Sequence, residues 1–387
     1  MREFDAIIIG GGMVGLAFAV ELSARRDISI AIVDPGEISP TIQKSFHTRV
    51  SAITPASEAF LSGLGVWSRI SRKQSFNATK VWDQNSHGQL NFNASDEGID
   101  HLGSIVENDL IQSALFASLN REKIECIKES LTALDKTEEG YQVTLNNQTK
   151  LSCRLLIGAD GAQSQVRKLS GIDTSEKDYQ QQAIIANIAC EKSFDGAIWQ
   201  RFLSDSIIAL LPLSDKQASI VWSCKNPLAN ELTDMQDTDF CRALCKAVEY
   251  RFGEITLASD RKAFPLIERS ANDYVLPNLA LIGDAAHNIH PLAGQGVNLG
   301  FADAQELNMQ LHTHGDKALG DHLVLRKYAR ARRTDNELMA KTMTGLNWIY
   351  KENNEGLRWL RGFGMNLIDE TPILKSFLQK HALGKAN

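Results

Sequence analysis

The sequence predicts an α/β fold in which a parallel sheet with helices is interleaved with a smaller antiparallel sheet and followed by C-terminal helices. Three observations predict it. An apolar run leads into a glycine-rich turn and a helix near the N-terminus. Two later apolar runs each end in a turn that contains glycine and aspartate, and segments of alternating apolar residues lie between the runs. Apolar runs indicate buried parallel strands, whereas alternation indicates strands with one polar face.

The first element is a strand that enters a glycine-rich turn. Phe4 to Ile9 is the apolar run, Gly10-Gly11-Gly12-Met13-Val14-Gly15 follows at once, and Leu16 to Arg25 is predicted to be helical. This order predicts a Rossmann-type dinucleotide site, because the glycines let backbone approach a pyrophosphate and the helix N-terminus offers free N–H groups. The next strand, Ile28 to Val33, ends in Asp34, whose carboxylate should accept a hydrogen bond from a ribose hydroxyl of FAD or NAD.

Two later strands end in similar turns. Leu155 to Gly161 contains Asp160, and Leu279 to His287 contains Gly283 and Asp284. Each aspartate follows the carboxyl end of a predicted strand, which is the edge where open α/β sheets bind ligands. Carboxylates at this edge are suited to sugar-alcohol hydroxyls, and FAD carries such hydroxyls on both its ribose and its ribityl chain. The three motifs together therefore indicate FAD.

The order and spacing of these motifs resemble the para-hydroxybenzoate hydroxylase class of flavoprotein monooxygenases over nearly the whole chain. The segment His290-Pro291-Leu292-Ala293-Gly294-Gln295-Gly296-Val297-Asn298-Leu299-Gly300, which closes with Asp303, looks like the signature of the ubiquinone-pathway hydroxylases. In that family this region lies beside the flavin ring, where the positive end of a helix stabilises negative charge. Segments 49–53 and 106–108 also resemble family segments near the flavin.

The resemblance implies a set of cofactor contacts in this chain. Besides the residues of the three motifs, they are Arg49, Asn108, Pro291, Gly294, Gln295, Gly296, Val297 and Asn298. Pro291, Gly296 and Val297 should border the flavin ring, and no acid–base residue is assigned. For Arg49 a surface salt bridge is the alternative. A metal site at Asp284, His287 and His290 is a further alternative, but the glycine-rich continuation favours flavin.

The motifs divide the chain into interleaved domains. The expected FAD-binding domain comprises residues 1–76, 100–178 and 261–335, the substrate domain comprises 77–99 and 179–260, and a C-terminal helical region covers 336–387. Strands are expected at 80–83, 89–93, 183–189, 198–202, 207–211 and 218–222. In the family such a sheet roofs the substrate pocket, so Phe202, Leu211, Pro212 and Trp222 are candidate pocket residues. Core packing is the alternative for each of them.

The resemblance implies an FAD-dependent aromatic hydroxylase that places one atom of O2 on a polyprenylated phenol in ubiquinone biosynthesis. Segments 81–83, 101–103, 212–215 and 219–223 look most like the 2-octaprenylphenol hydroxylase branch, which oxidises carbon 5. Sister enzymes act at other ring positions. No second dinucleotide motif is present, so electrons should come from transiently bound NAD(P)H or from an electron-transfer partner. The alternatives are a flavin oxidase or dehydrogenase and a non-enzymatic flavin-bearing subunit of a quinone-synthesis assembly.

Composition and charge limit the kinds of binding partner and the cellular location that we expect for the protein. The formal net charge of −6 argues against nucleic acid, and no apolar run is long enough to span a membrane. The apolar run at 6–19 lacks a basic flank and a cleavage site, so a cytoplasmic protein is expected. The six scattered cysteines are expected to be reduced.

Residues 341–387 carry seven Lys or Arg against four acids among aromatic and apolar residues. This region could rest on the inner face of an anionic membrane, or pack on the FAD domain as a helix pair. Other ubiquinone-synthesis proteins are possible partners.

Overall fold

In the computed structural model, the residues that the structure describes are 2–84, 89–288, 296–315, 319–334 and 336. The strands in chain order are β1 Arg2–Ile9, β2 Ile30–Val33, β3 Val50–Ile53, β4 Gln74–Phe76, β5 Ala78–Asp83, β6 Gln89–Asn93, β7 Gly103–Glu107, β8 Ile124–Ile127, β9 Leu131–Lys136, β10 Tyr141–Leu145, β11 Lys150–Gly158, β12 Thr174–Cys190, β13 Ala197–Phe202, β14 Ser206–Pro212, β15 Gln217–Lys225, β16 Ile255–Leu257, β17 Lys262–Ala271, β18 Val275–Leu276, β19 Leu279–Leu281 and β20 His287–Asn288. The helices are α1 Met13–Arg25, α2 Pro55–Gly63, α3 Asn108–Ala117, α4 Gln165–Leu169, α5 Asn226–Asp234, α6 Asp237–Ala247, α7 Gly296–Thr313 and α8, residues 322–334.

The first sheet is the predicted parallel sheet. Its main strand order is β18-β19-β11-β1-β2-β8, and β19, β11, β1, β2 and β8 run parallel. The four residues of β2 are all buried, as are the last four of β1, because helices and loops cover both faces. The strands that precede Asp34, Asp160 and Asp284 all belong to this sheet. Their carboxyl ends therefore meet at one edge, as predicted.

The second sheet has nine strands in the order β20-β17-β12-β15-β14-β13-β5-β6, with β16 beside β12. Apart from the parallel pair β13 and β5, its ladders are antiparallel. The six strands expected at 80–83, 89–93, 183–189, 198–202, 207–211 and 218–222 are all present in it. Alternate residues point to opposite faces. The outer face packs on α5 and α6, where Ile220, Trp222 and Phe240 share one core cluster. The inner face packs in part on the small sheet described next, through Ile198 and Leu211.

A small sheet joins the two larger layers. It has the order β3-β7-β4 and is antiparallel. Ala52 of β3 and Ile105 of β7 share an apolar cluster with Ile198 and Leu211 of the nine-stranded sheet. This contact fixes the substrate sheet over the cofactor domain. The predicted C-terminal helical region at 336–387 lies outside the described residues except for Asn336, which ends the described chain after α8.

The boundary between the layers differs from the expected positions at 178 and 261. β12 begins at Thr174, and β17 pairs with it from Lys262 to Ala271, so both strands lie in the nine-stranded sheet. The register of this pair shifts between Asp178 and Gln182. Sequence patterning does not show the early start of β12, because its first residues are polar and exposed.

Candidate active site

The glycine-rich turn after β1 is held by its own backbone. Gly10 adopts φ +114°, and a Cβ there would lie 2.2 Å from the carbonyl oxygen of Ala159, while a Cβ at Gly15 would lie 2.1 Å from that of Gly10. These two glycines allow close packing inside the protein. Gly12 differs, because a Cβ there would meet no atom within 4 Å. Gly12 therefore faces open space at the start of α1.

The N-terminus of α1 offers donors to that open space. Gly12 is its N-cap residue, no side chain accepts a hydrogen bond from the first turn, and the first turn contains no acid. The first N–H groups of a helix have no partner inside the helix, and the helix dipole adds positive charge there. An uncapped helix that begins at a glycine turn is suited to bind a pyrophosphate. Met13 and Val14, two of the predicted cofactor contacts, lie in this first turn.

Asp34 lies beside the same turn. Its carboxylate accepts hydrogen bonds from the backbone N–H groups of Gly11 and Gly36, each at 2.7 Å. Each carboxylate oxygen retains a free lone pair that can accept a sugar hydroxyl. Gln112 of α3, which sequence patterning did not identify, donates to the carbonyl oxygens of Gly11 and Ile38 at 3.0 and 3.2 Å. Gln112 therefore fixes the distance between the glycine turn and the loop after β2.

The third motif packs directly on the first. A Cβ at Gly300 of α7 would lie 2.5 Å from Cγ2 of Val14 and 3.4 Å from Cα of Gly283, and Gly283 itself has φ +59°. Any side chain at Gly300 would push α7 away from α1. The structure thus brings together the predicted residues Val14 and Gly283, which are separated by most of the sequence.

Asp284 and Arg49 occupy the same cleft. The Asp284 side chain is exposed at the mouth of the turn and accepts a hydrogen bond from the Asn288 amide at 3.2 Å. The surrounding protein excludes enough water to raise its pKa, although nearby His287, the hydrogen bond from Asn288 and the Arg49 guanidinium oppose this rise. The Arg49 guanidinium lies over the ring of Phe264, 5.4 Å from its centre. No residue in the described ranges forms a salt bridge with Arg49.

Asp160 is placed at the predicted edge but is engaged by the protein. Its carboxylate accepts the Ser164 hydroxyl at 2.5 Å and the backbone N–H groups of Gln165 and Val166 at 2.7 and 3.1 Å. Burial raises the pKa of Asp160, and these hydrogen bonds oppose the rise. The carboxylate thus stabilises the N-terminus of α4. The buried Arg167 guanidinium donates to the carbonyl oxygen of Ala285 and so ties this turn to the third motif.

The loop that carries Arg49 is held from two sides. Arg72 donates to the carbonyl oxygens of residues 43–45 and pairs with buried Glu107, whose carboxylate also accepts the His47 N–H at 2.7 Å. From the substrate sheet, the Asn187 amide donates to the carbonyl oxygens of Phe46 and His47. Glu107 lies in the family-like segment 106–108, whereas Arg72 and Asn187 belong to no sequence motif. They link the position of Arg49 to both layers.

Behind the third motif lies a buried ionic network. Asp303 of α7 is fully buried and accepts hydrogen bonds from the Gly283 N–H at 3.0 Å, from His287 Nε2 at 2.6 Å and from Arg332 Nε at 2.8 Å. Burial alone would raise the pKa of Asp303, but His287 and Arg332 hold it below its ordinary value. His287 also stacks on Tyr274, with ring centres 5.8 Å apart. Asp303 therefore anchors the turn that carries Asp284.

The remaining predicted contacts fall into two groups. Asn108 accepts the Ser51 hydroxyl at 2.8 Å at the start of α3, and Asn298 of α7 donates to Ala52 and accepts the Thr54 N–H. Gly296 and Val297 begin α7, and a Cβ at Gly296 would meet no atom within 4 Å. Pro291, Gly294 and Gln295 lie outside the described residues, as does His290.

The four candidate pocket residues do not share one face. Leu211 lies on the inner face in the cluster with Ala52, and Phe202 lies on the same face by strand alternation. Trp222 lies on the outer face, where its indole N–H donates to the Ser206 hydroxyl and its ring packs 6.0 Å from Phe240. Pro212 ends β14 with outer-face parity. Leu211 and Phe202 therefore remain the candidates on the side of the cleft.

The cleft fits FAD. The uncapped start of α1 and the space at Gly12 suit the pyrophosphate, while Asp34, Asp284 and Arg49 provide acceptors and a positive charge around it. Across the described ranges there is no group of His, Cys, Asp and Glu side chains arranged to hold a metal ion.

Comparisons with known proteins agree with this assignment. The family described as FAD binding domain matches residues 3–341. The 3-demethoxyubiquinol 3-hydroxylase of Escherichia coli (strain K12) is 35% identical over 389 residues, which cover 98% of each chain. The mitochondrial ubiquinone biosynthesis monooxygenase COQ6 of Danio rerio is 33% identical, over 98% of this chain and 89% of that protein.

Solved structures show the same fold. PqsL of Pseudomonas aeruginosa in complex with 2-aminobenzoylacetate superposes with a TM-score of 0.79 at 21% identity, covering 94% of this chain and all of PqsL. The p-nitrophenol 4-monooxygenase PnpA of Pseudomonas putida DLL-E4 gives a TM-score of 0.79 at 17% identity over the whole of both chains. At these identities the likeness concerns the fold alone. Together, the cleft and the relatives show that this chain belongs to the FAD-dependent hydroxylases of the ubiquinone-biosynthesis family and is a flavoprotein monooxygenase that uses FAD and O2.

Proposed function

We propose that the substrate of this hydroxylase is a 2-polyprenylphenol and that one atom of O2 is placed on carbon 5 of its ring. Four segments that resemble the 2-octaprenylphenol branch support the proposal. Two of them, 81–83 and 219–223, lie on β5 and β15 of the nine-stranded sheet. Val81 and Val221 in these segments are partly exposed and point to the inner face. The inner-face location of branch-like residues is the observation on which the proposal depends.

The residues of this chain have separable tasks in such a reaction. When bound, FAD supplies the electrons and, with O2, the oxygen atom that is transferred. The α1 N-terminus and Asp34 would hold its pyrophosphate and ribose, and Asp284 and Arg49 would hold the ribityl side. The nine-stranded sheet covers the cleft and limits the access of water, which would otherwise compete with the aromatic substrate. Arg72 and Asn187 donate hydrogen bonds to the loop at 43–49, and these contacts hold the nine-stranded sheet in a fixed position over the cofactor domain.

A second candidate is hydroxylation at another position of a more substituted ring. The name of the Escherichia coli relative, 3-demethoxyubiquinol 3-hydroxylase, favours it, since that protein is 35% identical over nearly the full length of both chains. The two candidates differ in the substituents that the ring carries before the reaction. They share the cofactor, the cleft and the chemistry of oxygen transfer.

A competition experiment separates the candidates. Purified holoenzyme is reduced with dithionite and mixed with labelled O2 and equal amounts of a short-chain 2-prenylphenol and the matching demethoxyquinol. We expect one labelled oxygen on carbon 5 of the phenol, with at least a roughly ten-fold preference in kcat/KM over the quinol. A preference for the quinol would establish the second candidate. Hydrogen peroxide with both rings untouched would contradict both, and the Gly12→Ala variant serves as the cofactor-deficient control.

We propose further that reducing equivalents come from NAD(P)H or from an electron-transfer partner that docks transiently. Only one strand–Gly-x-Gly-x-x-Gly–helix unit is present in the sequence. Along the described part of the chain, no helix is both long and apolar enough to cross a membrane. Peripheral attachment through residues 341–387 and assembly with other ubiquinone-synthesis proteins therefore remain predictions. Liposome flotation of the full chain beside a chain shortened near residue 340 tests the first of these.

A further inference from the structure

The inner face of the nine-stranded sheet carries a continuous row of side chains. The strand registers place one residue from each of six neighbouring strands opposite the next, from β12 to the edge strand β6. We call this set the roof row: Ile185, Val221, Ala209, Gln200, Val81 and Leu90. Five inter-strand spacings of about 4.8 Å give the row a length of about 24 Å. A single aromatic ring is much shorter than that.

The roof row is apolar but incompletely covered. All of its members except Ala209 are partly exposed. The outer-face neighbours Trp199, Leu210 and Trp222 are only 0 to 8% exposed, because α5 and α6 cover them. A sheet face that meets only water is normally polar, so a line of partly exposed aliphatic side chains facing a cleft indicates contact with an apolar ligand.

The two ends of the row are not equivalent. Strand β17 lies beside β12, at one end of the row, and carries Phe264. The Arg49 guanidinium lies over the Phe264 ring, and its charge acts on Asp284. This is the cofactor end. At the other end, Leu90 lies on β6, the last strand of the sheet. A linear ligand that starts at the cofactor can therefore follow the row and leave the protein at an open sheet edge.

Gln200 gives the row its one hydrogen-bonding side chain. It lies on β13, between the aliphatic residues of the cofactor end and those of the β6 end. Its amide has no hydrogen-bond partner among the described residues, and the residue is partly exposed on the inner face of the sheet. An amide can accept from or donate to a ring hydroxyl. It therefore marks a place where a polar head group meets an apolar chain.

We propose that the roof row binds the isoprenoid chain of the substrate, with the ring hydroxyl at Gln200 and the chain running over Val81 and Leu90 to the edge of β6. This inference rests on the proposed function, which supplies an amphipathic substrate with one ring and a long, linear isoprenoid chain. The row predicts that affinity grows with chain length until the chain passes β6. Beyond that edge, added isoprene units leave the protein surface and contribute little.

The test measures binding separately from turnover. Oxidised holoenzyme is titrated with 2-prenylphenols of increasing isoprene number, and the change in the flavin absorbance spectrum gives Kd. We expect Kd to fall with chain length in the unmodified protein. In Leu90→Ser the longer chains should bind about five-fold more weakly while the shortest phenol is unaffected, because a partly buried leucine contact is lost only to the chain. Val81→Thr keeps the side-chain shape but adds a hydroxyl group. It should weaken the binding of the longer chains by a smaller factor than Leu90→Ser does.

Two further variants complete the experiment. Leu169→Ser makes the same chemical change at a leucine of α4 that is 40% exposed and remote from the roof row, so its chain-length dependence should equal that of the unmodified protein. Gln200→Leu should remove the preference for a prenylphenol over its methyl ether, a preference of up to about ten-fold for one hydrogen bond. Flavin content and thermal unfolding show that each variant is folded.

The outcomes distinguish this inference from the proposed function. A chain-length dependence that is identical in Leu90→Ser, Val81→Thr and Leu169→Ser would overturn the roof row as the binding site, even if the phenol is hydroxylated. Chain-dependent binding that the β5 and β6 variants weaken, with no oxygen transferred to any phenol, would support the roof row and refute the proposed reaction. Equal binding of phenol and methyl ether by the unmodified protein would refute the role of Gln200.

Discussion

Replacing Asp303 with asparagine should destabilise the whole protein. Asp303 acts through the buried network behind the third motif and does not line the cleft. Its carboxylate is fully buried and accepts hydrogen bonds from Arg332 at 2.8 Å, His287 at 2.6 Å and the Gly283 N–H at 3.0 Å. Asparagine has nearly the same shape but no charge, and its amide brings two donors toward a site already filled with donors. Arg332, only 7% exposed, would then lose its ion pair with Asp303 in a buried site, although it keeps a hydrogen bond to Asn336.

The size of the effect follows from the loss of this buried ion pair. Removing one partner of a buried ion pair typically costs about 3–5 kcal/mol, since the remaining charge loses its partner without regaining water. Total stabilities of folded domains are about 5–15 kcal/mol, so the loss is a large fraction of the whole. For a chain of 387 residues the entropy of unfolding is about 0.8 kcal/mol/K, so we expect the midpoint of thermal unfolding to fall by about 4–6 °C. Because the pKa of Asp303 is lowered by folding, its contribution is fully present above a pH of about 4 and is lost only as the pH falls below that.

Urea unfolding followed by circular dichroism measures this difference at neutral pH. Two variants serve as controls. Asp284→Asn changes an exposed carboxylate one residue from Gly283 and should leave stability nearly unchanged. Asp303→Asn combined with Arg332→Gln removes both charges and should recover part of the loss. If Asp303→Asn unfolds within about 1 kcal/mol of the unmodified protein, the buried network does not stabilise the third motif as argued.

Two further predictions concern the cofactor. Gly12→Ala should fold normally but bind FAD at least roughly ten-fold more weakly, because its Cβ enters the open space at α1; Gly10→Ala should lower the thermal midpoint even without FAD, because its Cβ meets Ala159. Isothermal titration with FAD and thermal unfolding of the apoproteins separate these effects, and equal FAD affinity for Gly12→Ala would contradict the placement of the pyrophosphate. The affinity for FAD should also rise with pH from about 4 upward. The ribityl hydroxyl groups of FAD donate hydrogen bonds, so they bind the ionised form of Asp284 more tightly. The pKa of Asp284 is raised in the protein without FAD, so this carboxyl group ionises over that pH range. Asp284→Asn should abolish this dependence, and a dependence that survives in the variant would assign it to another group.

The cofactor half of the fold could be predicted from sequence because its signals are local. Glycines at fixed spacing, apolar runs and an aspartate after each strand indicated the glycine turn, Asp34 and Asp284, and the structure places all of them at one sheet edge. The alternation of apolar residues likewise predicted β5, β6, β12, β13, β14 and β15 of the nine-stranded sheet, but β7 to β10 were not predicted. It did not predict the early start of β12 at Thr174, since the first residues of this strand are polar and exposed and show no apolar alternation.

Contacts between distant segments had no local signal. The clamp of Arg72 and Asn187 on the loop at 43–49 depends on which carbonyl groups the fold brings within reach, and amides and arginines with such partners resemble ordinary surface residues in sequence. Face assignment was similarly limited. Leu211 and Trp222 were equally apolar candidates for the pocket, but their strand registers place them on opposite sides of the sheet. Only the register distinguishes a residue of the cleft from a residue of the core.

The cofactor cleft is assembled from opposite ends of the chain, and this has a consequence for biosynthesis. The glycine turn at residues 10–15 leaves the ribosome early, whereas Gly283, Gly300 and Arg332, which form the other wall of the cleft, are translated much later. A nascent chain can pair β5 to β17 of the nine-stranded sheet before Gly283 is available to hold FAD, and β20 joins this sheet afterwards. Flavin capture is therefore a late step, so a shortage of FAD should leave chains with a nearly finished roof and an open cleft, which are natural substrates for chaperones and proteases.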